Sequence, residues 1–566
     1  MSAFIELKCS ANKRIIDSIR EANISFDAPC AGKGTCGKCL VDIINDDGSI
    51  DRVKACQTIP DKDLLIRLSK ANEMVFDQAN LLVQESIDRK DNEIKQVDIK
   101  QVDIKSSGIN KAENMASNRK FFKIAIDIGT TTVVAALRTS NGLKMASRLN
   151  SQRIYGADVV SRIKAQASHR LELQKCLIDD ILRLVHELCQ APEKDISLLI
   201  AANTTMIHLL MAYPAEGLAV YPFKAHNLDL IQTEIAGMKT LIMPSISTYI
   251  GGDIMSGVLA CHMDMGLEAA LKTGSESALD SEVTSLFKNN KDKLLIDLGT
   301  NGEMLIGHHK TYMSASTAAG PALEGGNLSH GIGGVKGAVR KVRAKIGFRL
   351  DRVNPYEFYA NPYQFLDIDL IGLDKKADMD DEISGISGPG AISILALAVK
   401  HKLIDKNGTL IEAYFEKGIP VGFDKNHELI CLTQDDIRQI QMAKAAICAG
   451  ITCLIKEFYK SEFSNLETCL NENLDKVYIA GGLGFNLELD DLKISKMIPP
   501  YLIDKISLVG NSSLSGLSIL LDCDTDDLEF MDRVKNAMYQ VRETCHELVL
   551  SLDKDFEDKY IECMNF

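Results

Sequence analysis

The chain has 566 residues, too many for one ordinary core, and the length points to about three to four domains. Its 64 basic and 78 acidic residues leave a net charge of −14, with no Lys/Arg-rich block to track a phosphate backbone, so nucleic acid is excluded as an expected partner. No apolar run is long enough to cross a bilayer and the start MSAFIELKCSANKR lacks the apolar core of a secretion signal, so the expectation is a soluble, cytoplasmic protein with no membrane partner.

Residues 1–71 combine short β-rich runs (FIELKCS, KCLVDIIND, DLLIRLS) with a glycine-rich cysteine loop, the pattern of a small α+β module. Of the fifteen cysteines, eleven are scattered through apolar or helical surroundings, where a reducing compartment leaves them as small buried hydrophobes. The other four, Cys30, Cys36, Cys39 and Cys56, are spaced C-x5-C-x2-C-x16-C, with Gly32, Gly34 and Gly37 between the first three. Thiolates packed this densely can converge on iron, while glycine supplies φ freedom and lets backbone N–H groups approach the sulfurs. An iron-sulfur cluster is therefore expected. Zinc or structural thiols are the alternatives, but structural zinc usually pairs two C-x2-C knuckles and only one is present. Cys9 is the reserve ligand, its strand-like setting favouring a core thiol.

From 72 to 118 the composition turns polar and charged, and QVDIK at 96–100 is repeated at 101–105. With few large apolar residues to bury, this segment reads as a linker, a V-x-I docking strand being the lesser alternative. Beyond it, FFKIAIDIGTTTVVAAL predicts strand, tight turn, strand, and KLLIDLGTNGEMLIG repeats that grammar. Helical stretches such as LELQKCLIDDILRLVHELCQ and the strand ISLLIAAN lie between the two hairpins. Later, LTQDDIRQIQMAKAAICAGITCLIKEF predicts a long helix capped by Thr433 with Asp436 three residues on. KVYIAGGLGFN then reads as a buried strand entering a glycine turn. Alternating strands and helices imply an α/β architecture.

In the first hairpin, Asp127-Ile-Gly-Thr-Thr-Thr132 ends a strand with a carboxylate followed by glycine and three hydroxyls. A nucleotide triphosphate needs N–H and hydroxyl donors for its oxygens and a carboxylate for the waters of Mg2+, and this segment offers all of them. Asp297-Leu-Gly-Thr-Asn-Gly-Glu303 repeats the plan, and Ala480-Gly-Gly-Leu-Gly484 offers glycines for close approach of a purine and ribose. Asp253, in Gly251-Gly-Asp253, is a candidate general base or metal-shell residue, with helix capping as the rival. Gly320 and Glu324, in the loop Ser316–Gly326, are candidate nucleotide contacts, with a simple turn as the rival. The loop Ser384–Gly390 is marked as a partner-contact candidate.

The cysteine loop resembles those of [2Fe-2S] ferredoxins, its spacing being closer to the adrenodoxin-like branch than to plant ferredoxins. The gap to Cys56 is shorter than in such domains, so part of the usual intervening structure is absent. The three glycine motifs together resemble the phosphate-1, phosphate-2 and adenosine motifs of the actin, sugar-kinase and Hsp70 (ASKHA) superfamily. The resemblance implies a duplicated RNase-H-like fold, with a first (middle) region at 119–198 and the main ATPase region at 199–566. Carried over, Asp127 and Asp297 face the metal, Gly129, Thr130, Thr131, Thr132, Gly299, Thr300, Asn301 and Gly302 face the phosphates, and Gly481, Gly482 and Gly484 face the adenosine; Glu303, which follows directly, is a candidate to orient a water, with a solvated strand residue as the rival.

The whole set, with AANTTMIHLL, YIGGDIMSGVLA, STAAGPALEGG and DIRQIQMAKAAICAGI, resembles the reductive activators of corrinoid proteins. That family implies ATP-dependent reduction of an inactive Co(II) corrinoid to Co(I) in support of methyl transfer in anaerobes, an upstream low-potential electron donor, and a homodimer. The Co(II)/Co(I) couple lies below the roughly −400 mV of plant-type [2Fe-2S] centres, and each 100 mV uphill costs about 2.3 kcal/mol per electron. Another free-energy source is needed, and ATP-driven remodelling of the complex would supply it. The alternatives are an activator of the 2-hydroxyacyl-CoA dehydratase activase type, and an ASKHA small-molecule kinase with a redox-sensing iron-sulfur domain.

Overall fold

A computed structural model describes residues 4–22, 24, 26, 28, 32, 34, 39–45, 47, 49–69, 122–139, 142–271, 291–308, 311–373, 375–379, 381–462, 465–481, 487–523 and 525–566. The predicted linker with its QVDIK pair, Cys30, Cys36, Gly482 and Gly484 lie outside these residues.

The N-terminal module consists of β1 (Phe4–Cys9), α1 (Ile15–Glu21), β2 (Leu40–Ile44), β3 (Ile50–Lys54) and β4 (Leu64–Ser69), with the sheet ordered β1-β4-β2-β3. All three pairings are antiparallel. Ile15, Ile16 and Ile19 share one side of α1 and are buried with Val41, Ile66 and Leu68 of the sheet. So small a core leaves little surplus stability, which is why a cross-linking cluster suits this unit.

The first hairpin opens a six-stranded sheet. β5 (Phe122–Ile128), β6 (Thr132–Thr139) and β7 (Gly142–Leu149) run antiparallel; after the long helix α2 (Val159–Leu188), β8 (Ile196–Ala202) returns parallel to β5. β9 (Ile231–Ile235) and β10 (Met238–Ile242) complete the order β7-β6-β5-β8-β10-β9. Ile124, Ala125, Ile126 and Ile128 are all buried, as a central strand covered on both faces requires. The boundary expected at 198/199 is corrected here: it falls inside β8, whose Ile196–Ala202 pair residue by residue with Phe122–Ile128, so the first half cannot end there. Two short helices, α3 (Thr204–Leu210) and α4 (Gly252–Ala260), follow β8 and β10.

β11 (Asp292–Leu298), β12 (Gly302–His308) and β13 (Thr311–Thr317) start the second half as a copy of β5–β7. An insertion then carries β14 (Ala338–Ala344), β15 (Leu366–Leu370) and β16 (Gly385–Ile386) in a sheet of order β15-β14-β16, helix α5 (Gly388–Lys400), the hairpin β17 (Ile419–Phe423) and β18 (Leu429–Leu432), and helix α6 (Gln434–Tyr459). β19 (Leu474–Ala480), β20 (Ile506–Gly510), helix α7 (Ser512–Leu521) and β21 (Cys545–Leu548) complete the sheet, of order β20-β19-β11-β12-β13-β21. From the third strand of each hairpin meander inward, both large sheets share one connectivity, which is the expected duplication of an RNase-H-like unit.

α6 starts with the predicted capping box: Thr433 accepts from Asp436 N, and the Asp436 carboxylate accepts from Thr433 N, a pairing of about 1 kcal/mol. Between the halves, α4 and α7 approach closely because their contact is made of small residues. A Cβ on Gly516 would stand 1.9 Å from the Ser256 carbonyl, and Ser256 Oγ donates to the Ser513 carbonyl at 2.7 Å. Ser384–Gly390, expected to be a loop, is β16 followed by Ser387 as N-cap of α5, with Pro389 in the first turn, where its missing N–H costs nothing.

Candidate functional site

Both hairpin turns are closed by the N–H of their glycine, Gly129 N donating three residues on to Thr132 O at 2.9 Å and Gly299 N two residues on to Asn301 O at 3.0 Å. Asp127 and Asp297 are each the penultimate residue of a central strand, so equivalent positions in the two halves bring a carboxylate to the mouth of each turn. Asp297 stands directly opposite Glu303 in the β11–β12 register, and opposite residues of an antiparallel pair project to the same face. The turns and carboxylates converge on one cleft, lined among others by Asp127, Gly129–Thr132, Asp253, Asp297, Gly299–Asn301, Glu303, Glu324 and Gly481.

Hydrogen bonds sort the acids by task. Asp127 accepts from Asn511 Nδ2 at 2.7 Å and from Ser513 Oγ at 2.8 Å, both from the start of α7. Asp253, in the first turn of α4, accepts the N–H of Ile254 at 2.8 Å while Gly251 makes the N-cap without a side-chain bond, so Asp253 serves the start of the helix, as the capping rival expects, and also lines the cleft. Glu324 accepts from Thr300 Oγ1 at 3.1 Å and, with its other oxygen, from Thr131 Oγ1, clasping the second half's turn to the first half's. Gly320 N donates to the Thr300 carbonyl at 2.9 Å, which fixes the same turn from behind.

Crowding of carboxylates in an enclosed space raises their pKa values. Burial, then Asp253, Asp127 and Glu324, push Asp297 up to about 8. Burial and the Asp127 charge push Asp253 up to about 7. Glu303 is raised well above the usual range by burial, Asp253 and Asp297, and Asp127 is raised by burial against the opposing bonds from Ser513 and Asn511. Such a set is costly unless a cation sits among it, and oxygen donors of this kind suit Mg2+.

Gly481, with φ of 97°, is needed for space as well as conformation: a Cβ there would meet the Leu298 carbonyl at 2.4 Å and Asp297 Oδ1 at 2.7 Å. Gly302 and Gly320 do not line the cleft. A Cβ on Gly302 would meet Thr317 Cγ2 at 3.1 Å and Ile447 Cγ1 at 3.2 Å, so this position packs tightly against the strand and helix behind the turn. Asn511, Ser513, Asn203 and Ser387–Pro389 line the cleft without having been anticipated. Their signal was an Asn or Ser just after a strand and before an apolar helix: Asn203 and Asn511 cap α3 and α7, and Ser387 caps α5.

In the N-terminal module, Cys39 precedes β2 and Cys56 follows β3. Their sulfurs lie 3.1 Å apart because Ala55 N donates to the Cys39 carbonyl and continues the hairpin ladder. Gly32 and Gly34 have φ of 85° and 82°, and a Cβ on Gly32 would stand 3.8 Å from Cys56 Cβ. Cys56 is therefore near both Cys39 and Gly32, despite the short spacing. Cys9 is a buried core thiol of β1, raised by burial and bonded to Ser18. Two thiols this close, with Gly32 beside Cys56, fit a shared cluster.

Residues 4–61 match the 2Fe-2S iron-sulfur cluster binding domain, 122–266 the RACo middle region, and 291–566 the C-terminal domain of RACo, described as the ASKHA domain. Over 91% of both chains the protein is 25% identical to the corrinoid activation enzyme RamQ of Eubacterium limosum. Over 70% of this chain and 68% of the relative it is 27% identical to the [Co(II) methylated amine-specific corrinoid protein] reductase of Methanosarcina barkeri. Among solved structures, a reductive activator for corrinoid,iron-sulfur protein shares the fold with a TM-score of 0.61, at 24% identity over 99% of this chain and 96% of that one. No helix among the described residues is long and apolar enough to cross a membrane.

Proposed function

Because the chain belongs with the RACo proteins, carrying the cluster domain, middle region and ASKHA domain in order, we propose that it is an ATP-dependent reductive activator of a corrinoid protein. The reaction returns inactive Co(II) to the methyl-accepting Co(I) state by one electron, while ATP and water become ADP and phosphate. A [2Fe-2S] cluster on Cys30, Cys36, Cys39 and Cys56 would supply the one-electron chemistry. A low-potential donor refills it, and the active form is a homodimer, as the family resemblance implies.

The observation that carries this reading is the convergence of both D-x-G-T turns and five carboxylates on one cleft. Asp127 and Asp297 would hold Mg2+ and its waters. Gly129–Thr132 and Gly299–Asn301 offer N–H and hydroxyl donors to the phosphates, and Gly481 would face the adenosine, the role the motif implies for Gly482 and Gly484 as well. Glu303 would orient the attacking water, and Asp253, raised to about 7, would take its proton. Glu324, bonded to both turns, lets closure over nucleotide draw the halves together. Closure does work on the partner only if the closed form prefers one state of the corrinoid complex.

The test is anaerobic purification and cluster reconstitution, then reduction of a cob(II)alamin-loaded corrinoid protein with and without ATP. Cobalt reduction should require ATP. Reduction indifferent to ATP, or none, overturns the proposal.

A further inference from the structure

The phosphate-1 turn is held from behind by two side chains outside the three glycine motifs. Asn150 Nδ2 donates to the Gly129 carbonyl at 2.9 Å, Asn150 N donates to the Thr131 carbonyl at 2.9 Å, and Arg162 Nη2 donates to the Thr130 carbonyl at 2.6 Å. Binding these carbonyls on the far side aims the N–H groups of the same peptides, those of Thr130 and Thr131, toward the cleft and polarises them as donors. Arg162 is fully buried, and its four partners are neutral: the Thr130 and Gly156 carbonyls, Gln152 Oε1 and Met206 Sδ. Burial and the Arg153 charge lower its pKa to about 9 against the opposing pull of Asp158 and Glu324, so negative charge bound at the turn in front of it would add to what those carboxylates supply.

These two residues bracket one short segment. Asn150 caps the 3-10 turn Ser151–Tyr155, and Arg162 Nε donates at 3.0 Å to the carbonyl of Gly156, the residue that ends it. The outer side of that turn is the seat of the iron-sulfur module. Arg20 of α1 donates through Nη2 to the Ile154 carbonyl at 3.0 Å, and its guanidinium lies 5.0 Å from the centre of the Tyr155 ring. The same Arg20 lies beside Gly32 of the cysteine segment: a Cβ on Gly32 would stand 3.7 Å from Nη2. Phosphate turn, Asn150 and Arg162, residues 151–156, Arg20 and the cysteine loop thus form one continuous set of contacts.

We infer that Arg162 and Asn150 are positioning residues for the phosphate-1 turn, and that residues 150–162 couple nucleotide binding to the docking of the iron-sulfur module through Arg20. The coupling is positive, since a docked module already orders the turn that Asn150 and Gly156 share with the phosphate site, and the nucleotide then has less to order. Linkage makes it reciprocal. This inference rests on the nucleotide reading of the cleft.

The test uses the full-length, cluster-loaded protein and equilibrium binding of ADP and of a non-hydrolysable ATP analogue with Mg2+. Arg20→Ala should weaken nucleotide binding by about fivefold or more, the lower range for allosteric coupling. Arg14→Ala, which removes a side-chain bond to Asp17, the acid that Arg20 Nη1 also binds at 3.0 Å, and whose hydrogen bonds among the described residues do not reach 150–162, should not. Tyr155→Leu, which leaves the N-terminal module intact, should repeat the Arg20→Ala effect, and Arg162→Gln should weaken binding further. A cluster reduction potential that moves on nucleotide binding in the wild type and stays fixed in Arg20→Ala supports the same conclusion. If the wild type binds nucleotide but Arg20→Ala and Tyr155→Leu bind it equally well or more tightly, the coupling is overturned while the nucleotide reading stands. If the wild type binds none, both fall.

Discussion

Binding of the magnesium nucleotide should expel protons, by an amount set by the carboxylates of the cleft. With Asp297 raised to about 8 and Asp253 to about 7, at pH 7 the first keeps its proton in about nine molecules in ten and the second in about half. A magnesium ion held by Asp297 requires it as a carboxylate, and the same positive charge favours the ionised form of Asp253, which a base needs, so its entry with ATP should release about one to one and a half protons at pH 7. The affinity should then rise with pH, by about ten- to thirtyfold per unit near neutrality, and level off above about pH 8 to 9. Calorimetric titration at pH 7 in two buffers of different ionisation heat reads the proton count directly, and repeating it with nucleotide and chelator removes the metal. Absence of a buffer effect, or the same release without metal, would refute the placement of a cation among these acids.

The same shifts carry a stability signature of the opposite sense from ordinary surface carboxylates. Folded-state values above the usual one mean that the cluster favours folding below pH 3.8 and progressively less as pH rises through about 7 to 8. Thermal unfolding of the nucleotide-free protein should show this loss between pH 6 and 8.5, expected on linkage grounds, and magnesium nucleotide should flatten it. Cys56→Ser should abolish the visible iron-sulfur spectrum after reconstitution, whereas Cys9→Ser should preserve it; the reverse result would move the fourth ligand into β1. Glu303→Gln should cut ATP hydrolysis by about 10²- to 10⁴-fold with nucleotide still bound, and unchanged turnover would assign the water elsewhere. Gly251→Ala puts a Cβ 2.4 Å from Asn203 Cα and 2.6 Å from the Ala202 carbonyl, a clash with backbone that should cost about 1–3 kcal/mol and a lower melting temperature.

What could be read before folding was chemistry confined to a few consecutive residues. D-x-G-T announces itself because a strand's last carboxylate, a turn glycine and the donors after it act within one hairpin; the capping box at Thr433 and Asp436 is local in the same way. The cysteine loop belongs here too, since its spacing carries its own geometric demand. Even the duplication was legible, each half beginning with the same strand-turn-strand.

Groups that meet only when distant elements pack left no such trace. Nothing in sequence ties Asp127 to Asn511 and Ser513, or Thr131 to Glu324, because partners separated by hundreds of residues are chosen by how the two sheets and α4 and α7 pack. The misplaced boundary inside β8 has the same origin: that strand joins the first sheet by parallel pairing with β5 across α2, a long crossover with no local signal. Ser384–Gly390 looked like a loop because a cap and a first-turn proline read as breakers until a helix follows them. The pKa order of the cleft is likewise a tertiary property, since desolvation and mutual repulsion depend on distance through space. Sequence by itself determined which chemical groups the chain carries and which turns present them; tertiary structure alone decided which of them share an enclosed space, and so which carboxylates repel, which are tethered, and which arginine lies behind the first turn.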